Sequence, residues 1–98
     1  MDLTTKTILT RKGEQILVDD EDFEFLHRWS WYINRQGYVT HSINHVQHKT
    51  VYMHQTIAIR MGLALHYDEE IDHRDGNKLN NKRDNLRLAT KSQNNEGV

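Results

Sequence analysis

Short runs in which hydrophobic and polar residues alternate recur through the first half of the chain, and each run predicts a β-strand. Turns at Lys12-Gly13 and Gln36-Gly37 separate these runs, so consecutive strands are expected to pair antiparallel. The predicted strands cover residues 7–10, 15–18, 30–34, 38–43 and 50–53. The pattern therefore predicts a hairpin followed by a small antiparallel meander.

Two other stretches have helical rather than alternating spacing. Phe23, Leu26 and Trp29 recur three residues apart, which predicts a helix over residues 22–28 that begins behind the acidic residues 19–21. A second helix is predicted over residues 54–61 from the spacing of its apolar side chains. Both helices are short, so they must pack against the sheet to be stable.

The last third of the chain has its own order of elements. A strand over residues 70–73 runs into a loop rich in glycine and asparagine, and another strand is predicted over residues 86–89. Thr90 and Gln93 then match a capping box, so a helix should begin there. We predict one α+β domain, residues 1–98, in which a small antiparallel sheet with short helices (1–68) is followed by a two-strand-and-helix module (69–98).

Length and composition limit the possible classes of protein. A chain of 98 residues, of which 36% are hydrophobic, has room for one modest core. It contains no cysteine, so a disulfide or a cysteine-ligated zinc is excluded, and no structural zinc is expected. No apolar run has the length of a membrane span, and the first residues do not form a secretory signal. We therefore expect a cytoplasmic protein without membrane contact.

Charge is distributed unevenly, although the formal net charge is only −1. Residues 1–72 contain seven Lys and Arg against eleven Asp and Glu, whereas residues 73–98 contain six against three. A basic segment beside an acidic body is expected where one face meets a polyanion, although an ordinary solvated surface produces the same pattern. The cations of this segment that we predict to contact the phosphate groups of such a polyanion are Arg74, Lys78, Lys82, Arg83, Arg87 and Lys91.

Residues 71–95 combine the groups that hydrolysis of a phosphodiester needs, a base for water and oxygen ligands for a divalent cation. His73 has an intrinsic pKa near neutrality, which makes it the natural base. Asp72 and Asn94 offer hard oxygen ligands for Mg²⁺ or Mn²⁺. Because Asp72 and His73 are adjacent on a strand, their side chains should point to opposite faces unless the strand is distorted. Spacing alone leaves open that the pair is incidental and the loop only a turn.

The same segment resembles the HNH endonuclease family, in particular the type found in phage homing endonucleases. The matching residues are Asp72-His73, Asp75-Gly76-Asn77, Leu79-Asn80-Asn81, Asn85-Leu86-Arg87, Thr90 and Gln93-Asn94-Asn95. A looser likeness extends upstream through Trp29-Ser30-Trp31-Tyr32, Gly37-Tyr38 and Met53-His54. The resemblance covers nearly the whole chain and is most specific at its C-terminal end.

This resemblance implies a ββα-metal module that holds one divalent cation and cleaves double-stranded DNA, leaving a 5′-phosphate and a 3′-hydroxyl. It implies that His73 is the general base and that Asp72 and Asn94 are metal ligands. Asn85 matches the central asparagine of the family, which orients the loop and helps to fix the His73 ring. Such a protein is expected in a bacterial or phage-infected cell.

Departures from the family leave other functions open. The four-cysteine zinc site of some members is missing, as is the C-terminal DNA-reading module of many phage homing enzymes. We therefore expect weak sequence specificity, or specificity supplied by a missing segment or partner. Nicking of one strand is a separate expectation. The alternatives are a non-catalytic DNA-binding module and an interaction domain that keeps an HNH-like fold. Either a monomer or a homodimer is compatible with the sequence.

Other histidines and aromatic residues are interpreted structurally. We expect three histidines to be exposed on a strand or turn rather than to bind metal, namely His41, His45 and His48. His54 is expected to make a structural hydrogen bond. The larger aromatic side chains are expected to pack in the core rather than to stack on bases, and these are Trp29, Trp31, Tyr32, Tyr38 and Tyr52.

Overall fold

A computed structural model describes residues 4–42, 49–63 and 69–90. Within these ranges the chain forms seven strands, two α-helices and one short 3₁₀ helix. The strands are β1 (Thr5–Leu9), β2 (Gln15–Asp19), β3 (Tyr32–Ile33), β4 (Val39–Ser42), β5 (Thr50–Tyr52), β6 (Glu69–His73) and β7 (Leu86–Thr90). The helices are α1 (Asp20–Leu26) and α2 (Met53–Arg60), and the 3₁₀ helix is Arg83–Asn85. The predicted α+β class is confirmed.

Three antiparallel sheets connect strands that are neighbours in sequence. The first sheet pairs β1 with β2. The second is the meander of β3, β4 and β5, and the third pairs β6 with β7. The predicted hairpin and meander are therefore confirmed, and each described strand or helix ends within two residues of its predicted end. The helix predicted to follow Thr90 falls in residues 91–98, outside the described part of the chain.

Helix α1 begins and ends two residues earlier than its spacing predicted. Three acidic residues in its first turn favour an early start because they face the positive end of the helix dipole. The helix ends at Leu26, whose carbonyl oxygen accepts a hydrogen bond of 2.8 Å from the Trp31 indole. Trp29, expected on the same helix face as Leu26, therefore follows the helix and stacks on His41.

One hydrophobic cluster joins the β1–β2 hairpin, both helices and the inward face of β6. Its members with no exposed surface are Ile16, Val18, Leu26, Met53 and Ile57. Neither helix in the described residues has the length and apolar character needed to cross a bilayer. The core therefore lies directly behind β6, the strand that ends at His73.

Two expectations about side-chain burial beside this core, for His41 and Tyr32, are wrong. His41 is buried, because the face of β4 on which it lies packs against Trp29 and Trp31. Its predicted exposure is therefore wrong, and His45 and His48 lie outside the described residues. Trp31 is buried as expected, whereas Tyr32 is 45% exposed because it lies on the outer face of the two-residue strand β3.

A buried carboxylate ties three elements together. The side chain of Asp22 has no exposed surface and accepts hydrogen bonds from Arg60 of α2 and from Arg83 of the 3₁₀ helix. Burial alone would raise the pKa of Asp22, but the hydrogen bonds and charges of the two guanidinium groups outweigh it and hold the pKa below its usual value. This cluster fixes the 3₁₀ helix against α1.

β2 also joins the loop that follows β6, through the main chain. The Leu17 amide donates to the Leu79 carbonyl oxygen, and the Leu17 carbonyl oxygen accepts from the Asn81 amide, each at 2.8 Å. These bonds form a parallel bridge between Leu17 and Asn80. Nearby, the Asp19 carboxylate accepts a hydrogen bond of 2.6 Å from the Arg83 amide. The N-terminal hairpin and the C-terminal module thus meet at this loop.

Candidate active site

His73 is the last residue of β6 and lies on the inward face of that strand. It is buried together with Ile71, whereas Asp72 between them is partly exposed. The ring of His73 lies beside the rings of His54 and Tyr38, with centroid distances of 5.2 and 6.3 Å. Its Nε2 atom lies 2.7 Å from Oδ1 of Asn81. These contacts fix the orientation of the imidazole, as a general base requires.

His54, in the first turn of α2, forms one wall of this site. Its ring stacks on Tyr38 at 5.1 Å and meets Tyr52 edge-on at 5.7 Å. Burial, together with the charge of the neighbouring His73, lowers the pKa of His54 to about 4. His54 is therefore neutral at neutral pH. Its expected structural hydrogen bond stays a prediction, since the contacts described here are between rings.

The loop after β6 is shaped by hydrogen bonds from its own short polar side chains. Gly76 has a φ of +76° and donates its amide hydrogen to the His73 carbonyl oxygen at 2.9 Å, which closes the first turn. The Asp75 carboxylate accepts from the Asn77 amide at 2.8 Å and from Nδ2 of Asn80 at 3.0 Å. These hydrogen bonds hold the pKa of Asp75 below its usual value.

Asn85 fastens this loop to the start of β7. Its Oδ1 accepts from the Asp75 amide, and its Nδ2 donates to Oδ1 of Asp75 and to the Asn80 carbonyl oxygen, all within 3.1 Å. The described contact with the His73 ring, expected in part from Asn85, is made instead by Asn81. No role was predicted for Asn81 from its residue type or position. The signal that points to it is its place in the Leu79-Asn80-Asn81 motif.

Asp72 points to the other face of β6, because the strand is regular up to its end. It stands directly opposite Arg87 in the β6–β7 pairing. Both Nε and Nη2 of Arg87 lie 3.0 Å from Oδ2 of Asp72. The Asp72 side chain is 28% exposed, so its carboxylate is accessible and has the oxygen chemistry that Mg²⁺ and Mn²⁺ prefer.

The second predicted metal ligand, Asn94, lies outside the described residues. Among the residues that are described, no three or more acidic, histidine or cysteine side chains are grouped to hold a metal. A site of one carboxylate and one amide oxygen is smaller than such a group, and Mg²⁺ completes its coordination with water and phosphate oxygens. The Asp72 carboxylate, together with one amide oxygen, would therefore fit a hard divalent cation.

Two of the cations predicted to contact DNA, Arg83 and Lys78, are held by contacts with residues other than Asp72 and His73. Arg83 binds Asp22 through two nitrogens, and moving its guanidinium would leave that buried carboxylate with one partner fewer. Lys78 donates a hydrogen bond of 2.6 Å to the Gln36 carbonyl oxygen, and its Nζ lies 4.4 Å from the centre of the Tyr38 ring. We therefore leave both out of the proposed DNA contacts.

The other predicted cations lie nearer the exterior. Arg74 follows His73 directly and is exposed, and Arg87 is half exposed beside Asp72. Lys82 is partly buried just before the 3₁₀ helix, and Lys91 lies outside the described residues. Arg74 is thus an exposed cation next to His73 in sequence, and Arg87 is a half-exposed cation paired with Asp72.

Comparison with known proteins gives matches over this part of the chain. Residues 51–96 match the family model described as HNH endonuclease. Over 91 residues the chain is 36% identical to an uncharacterized HNH endonuclease of Acanthamoeba polyphaga mimivirus, a match that covers 90% of this chain and 46% of the relative. The chain therefore spans about half the length of the curated relative it matches. No solved structure matches the chain.

The matched segment contains Asp72, His73, Asn81 and Asn85, together with both strands of the C-terminal ribbon. HNH nucleases generally use divalent metal ions, and the family suggests nuclease activity. The likeness to phage homing enzymes in particular stays a prediction. By the family match over residues 51–96 and the identity with the viral relative, the chain belongs to the HNH endonuclease family.

Proposed function

We propose that this chain is a divalent-cation-dependent endonuclease that hydrolyses phosphodiester bonds of double-stranded DNA and nicks one strand. The observation that carries the proposal is the setting of His73, a buried imidazole held by Asn81 and two rings. The residue before it, Asp72, presents an accessible carboxylate on the other face of β6. General-base catalysis requires such a fixed imidazole, and the family assignment supports nuclease chemistry.

In the proposed mechanism His73 accepts a proton from the water molecule that attacks phosphorus. A bond forms between phosphorus and the water oxygen, and the bond from phosphorus to the 3′ oxygen breaks. The products are a 5′-phosphate and a 3′-hydroxyl, the latter protonated from solvent. The part that the protein contributes is the orientation of the His73 ring, which avoids reorganisation during the reaction.

Asp72 and Asn94 are the residues that we propose to hold the cation, Mg²⁺ or Mn²⁺. When bound, the cation neutralises charge that develops on the phosphate oxygens. The accessibility of the Asp72 carboxylate supports this role. The exposed Arg74 and the half-exposed Arg87 support an approach of the DNA backbone at the same edge.

The test is cleavage of supercoiled plasmid with Mg²⁺ or Mn²⁺, with and without EDTA. Because His73 is buried, replacement by alanine would leave a cavity beside His54 and Tyr38, so His73→Gln is the better variant. The matched control is His27→Gln, since His27 is exposed and contacts only the Phe23 ring among the ring pairs described. We expect metal-dependent open circles from wild type and control, and a rate at least about 100-fold lower from His73→Gln.

Cleavage by His73→Gln at the wild-type rate would show that another group is the base. Plasmid binding by the wild type without metal-dependent cleavage would favour the non-catalytic DNA-binding module. Linear plasmid that appears together with open circles would contradict nicking of one strand. Circular dichroism of each variant distinguishes loss of chemistry from loss of fold.

A further inference from the structure

We infer that Asn81 is a positioning residue that fixes the tautomer of His73, so that Nδ1 is the nitrogen that accepts the proton. The catalytic consequence rests on the proposed function. The tautomer itself is a property of the free protein, and it follows from the contacts of the Asn81 amide.

The orientation of that amide follows from its other neighbours. Nδ2 of Asn81 lies 3.4 Å from the Lys78 carbonyl oxygen and 3.5 Å from Sδ of Met53. Both of these atoms are acceptors, so exchanging the amide nitrogen and oxygen would place an oxygen against them. Oδ1 of Asn81 therefore faces His73. Because an amide oxygen only accepts, Nε2 of His73 must carry the hydrogen.

A neutral imidazole carries one ring hydrogen, so a hydrogen on Nε2 leaves the lone pair on Nδ1. The alternative tautomer would bring two lone pairs together across 2.7 Å. Asn81 is 1% exposed and His73 is 6% exposed, so water cannot readily relieve that repulsion. The buried contact therefore selects one tautomer as well as one ring orientation.

A residue outside the segment that matches the family holds Asn81 in place. Its amide hydrogen is donated to the Leu17 carbonyl oxygen on β2, and residue 17 precedes the matched residues 51–96. Met53, which has no exposed surface, lies behind the Asn81 amide. The N-terminal hairpin thus completes the positioning of the proposed base.

The tautomer is measured by long-range ¹H–¹⁵N correlation spectra of histidine-labelled full chain at pH 8.5, with EDTA and without DNA. The His73 signals are identified by their absence from the spectrum of His73→Gln. We expect the Nε2–H pattern for His73. An Nδ1–H pattern, or equal populations of both tautomers, would overturn the inference whether or not the protein cleaves DNA.

Two substitutions then test the role of the Asn81 oxygen. Asn81→Leu keeps the branched shape and removes the acceptor, whereas Asn81→Asp keeps the acceptor. We expect Asn81→Leu to lose the tautomer preference and to lower kcat by about 10- to 100-fold, with KM for plasmid changed less than about 2-fold. Asn81→Asp should retain the Nε2–H tautomer.

A wild-type tautomer and kcat in Asn81→Leu would overturn the inference. If either variant fails to fold, the wild-type spectrum still decides the tautomer. If wild type shows the Nε2–H pattern but does not cleave DNA with either metal, the proposed function fails while the assignment of the tautomer holds.

Discussion

His54 is a single side chain whose charge is set by burial, and this makes stability depend on pH. Its pKa of about 4 lies below the ordinary value of 6.5. Between these values the unfolded chain binds a proton that the folded chain does not, so stability falls as the pH is lowered through this window. We expect the free energy of unfolding to fall by roughly 2–3 kcal/mol between pH 7.5 and 4.5. Urea unfolding at the two pH values measures this loss.

The His54→Asn variant isolates the contribution of this ring, because it should lose most of the pH dependence. An unchanged dependence in that variant would assign the effect to other groups. Asp22 acts in a different pH range, since its pKa is held below its ordinary value of 3.8. The stability that Asp22 contributes is present above 3.8 and is lost as the pH falls towards its lowered pKa, below the His54 window.

Arg87 forms an ion pair with Asp72, the proposed metal ligand, so it should compete with a cation for that carboxylate. The pair is exposed enough that its interaction is worth roughly 0.2–1 kcal/mol. We therefore expect Arg87→Gln to bind Mn²⁺ about 2- to 5-fold more tightly than wild type when no DNA is present. Isothermal titration calorimetry measures this affinity.

Arg74→Gln is the matched control for Arg87→Gln, since it removes the same charge from an exposed position two residues from Asp72. An equal gain in both variants would indicate a general effect of net charge. No gain in Arg87→Gln, together with unchanged Mn²⁺ binding by Asp72→Asn, would exclude Asp72 as a ligand.

At the scale of the elements, the Asp22 cluster joins α1, α2 and the 3₁₀ helix. Removing its charge in Asp22→Asn would leave two partly buried guanidinium groups, Arg60 and Arg83, without their counter-ion. We expect a loss of roughly 2–4 kcal/mol in the free energy of unfolding, measured with urea at pH 7.5. Asp20→Asn is the control, because its side chain is 61% exposed, and it should change stability by less than about 0.5 kcal/mol. A similar small change in Asp22→Asn would contradict this account.

Strands and helices could be predicted from the sequence because their signals are local. Alternation and turn residues placed β6 and β7 within one residue of their observed ends. Asp22 was predicted only as the first residue of a helix, since its partners Arg60 and Arg83 lie 38 and 61 residues away. Spacing along the chain cannot show such pairs, which depend on how the elements pack.

The candidate site, too, could be predicted from the sequence only in part. Asp72, His73 and Asn85 were identified from residue type and motif, and the structure places the first two on β6 and Asn85 at the end of the 3₁₀ helix. Asn81 could not be assigned a role, because its contact with His73 depends on the path of the loop between them. That path is fixed by hydrogen bonds to Leu17, far away in sequence.

For the whole molecule, the contrast between an acidic body and a basic C-terminal segment should appear in the salt dependence of DNA binding. Arg74 is exposed beside the proposed base, so each phosphate contact it makes would release counter-ions. We expect Arg74→Gln to reduce the slope of log Kd against log salt concentration by about 0.9. Fluorescence anisotropy with a DNA duplex measures it, in EDTA and in the His73→Gln background.

Lys6→Gln is the control for this measurement, because Lys6 lies on β1 and pairs with Asp20 rather than with the site. Its slope should equal that of the parent protein. Equal reductions in both variants would mean that DNA responds to the total charge and does not contact Arg74.

The bridge between β2 and the loop uses main-chain atoms on both sides. Its two hydrogen bonds require an N–H and a carbonyl group at position 17 but no particular side chain, so only proline is directly incompatible with them. The bridge therefore fixes where β2 lies and not which side chain stands at position 17, so it cannot be predicted from the amino-acid sequence. A different side chain at position 17 would therefore give Asn81 the same main-chain support if β2 kept this register.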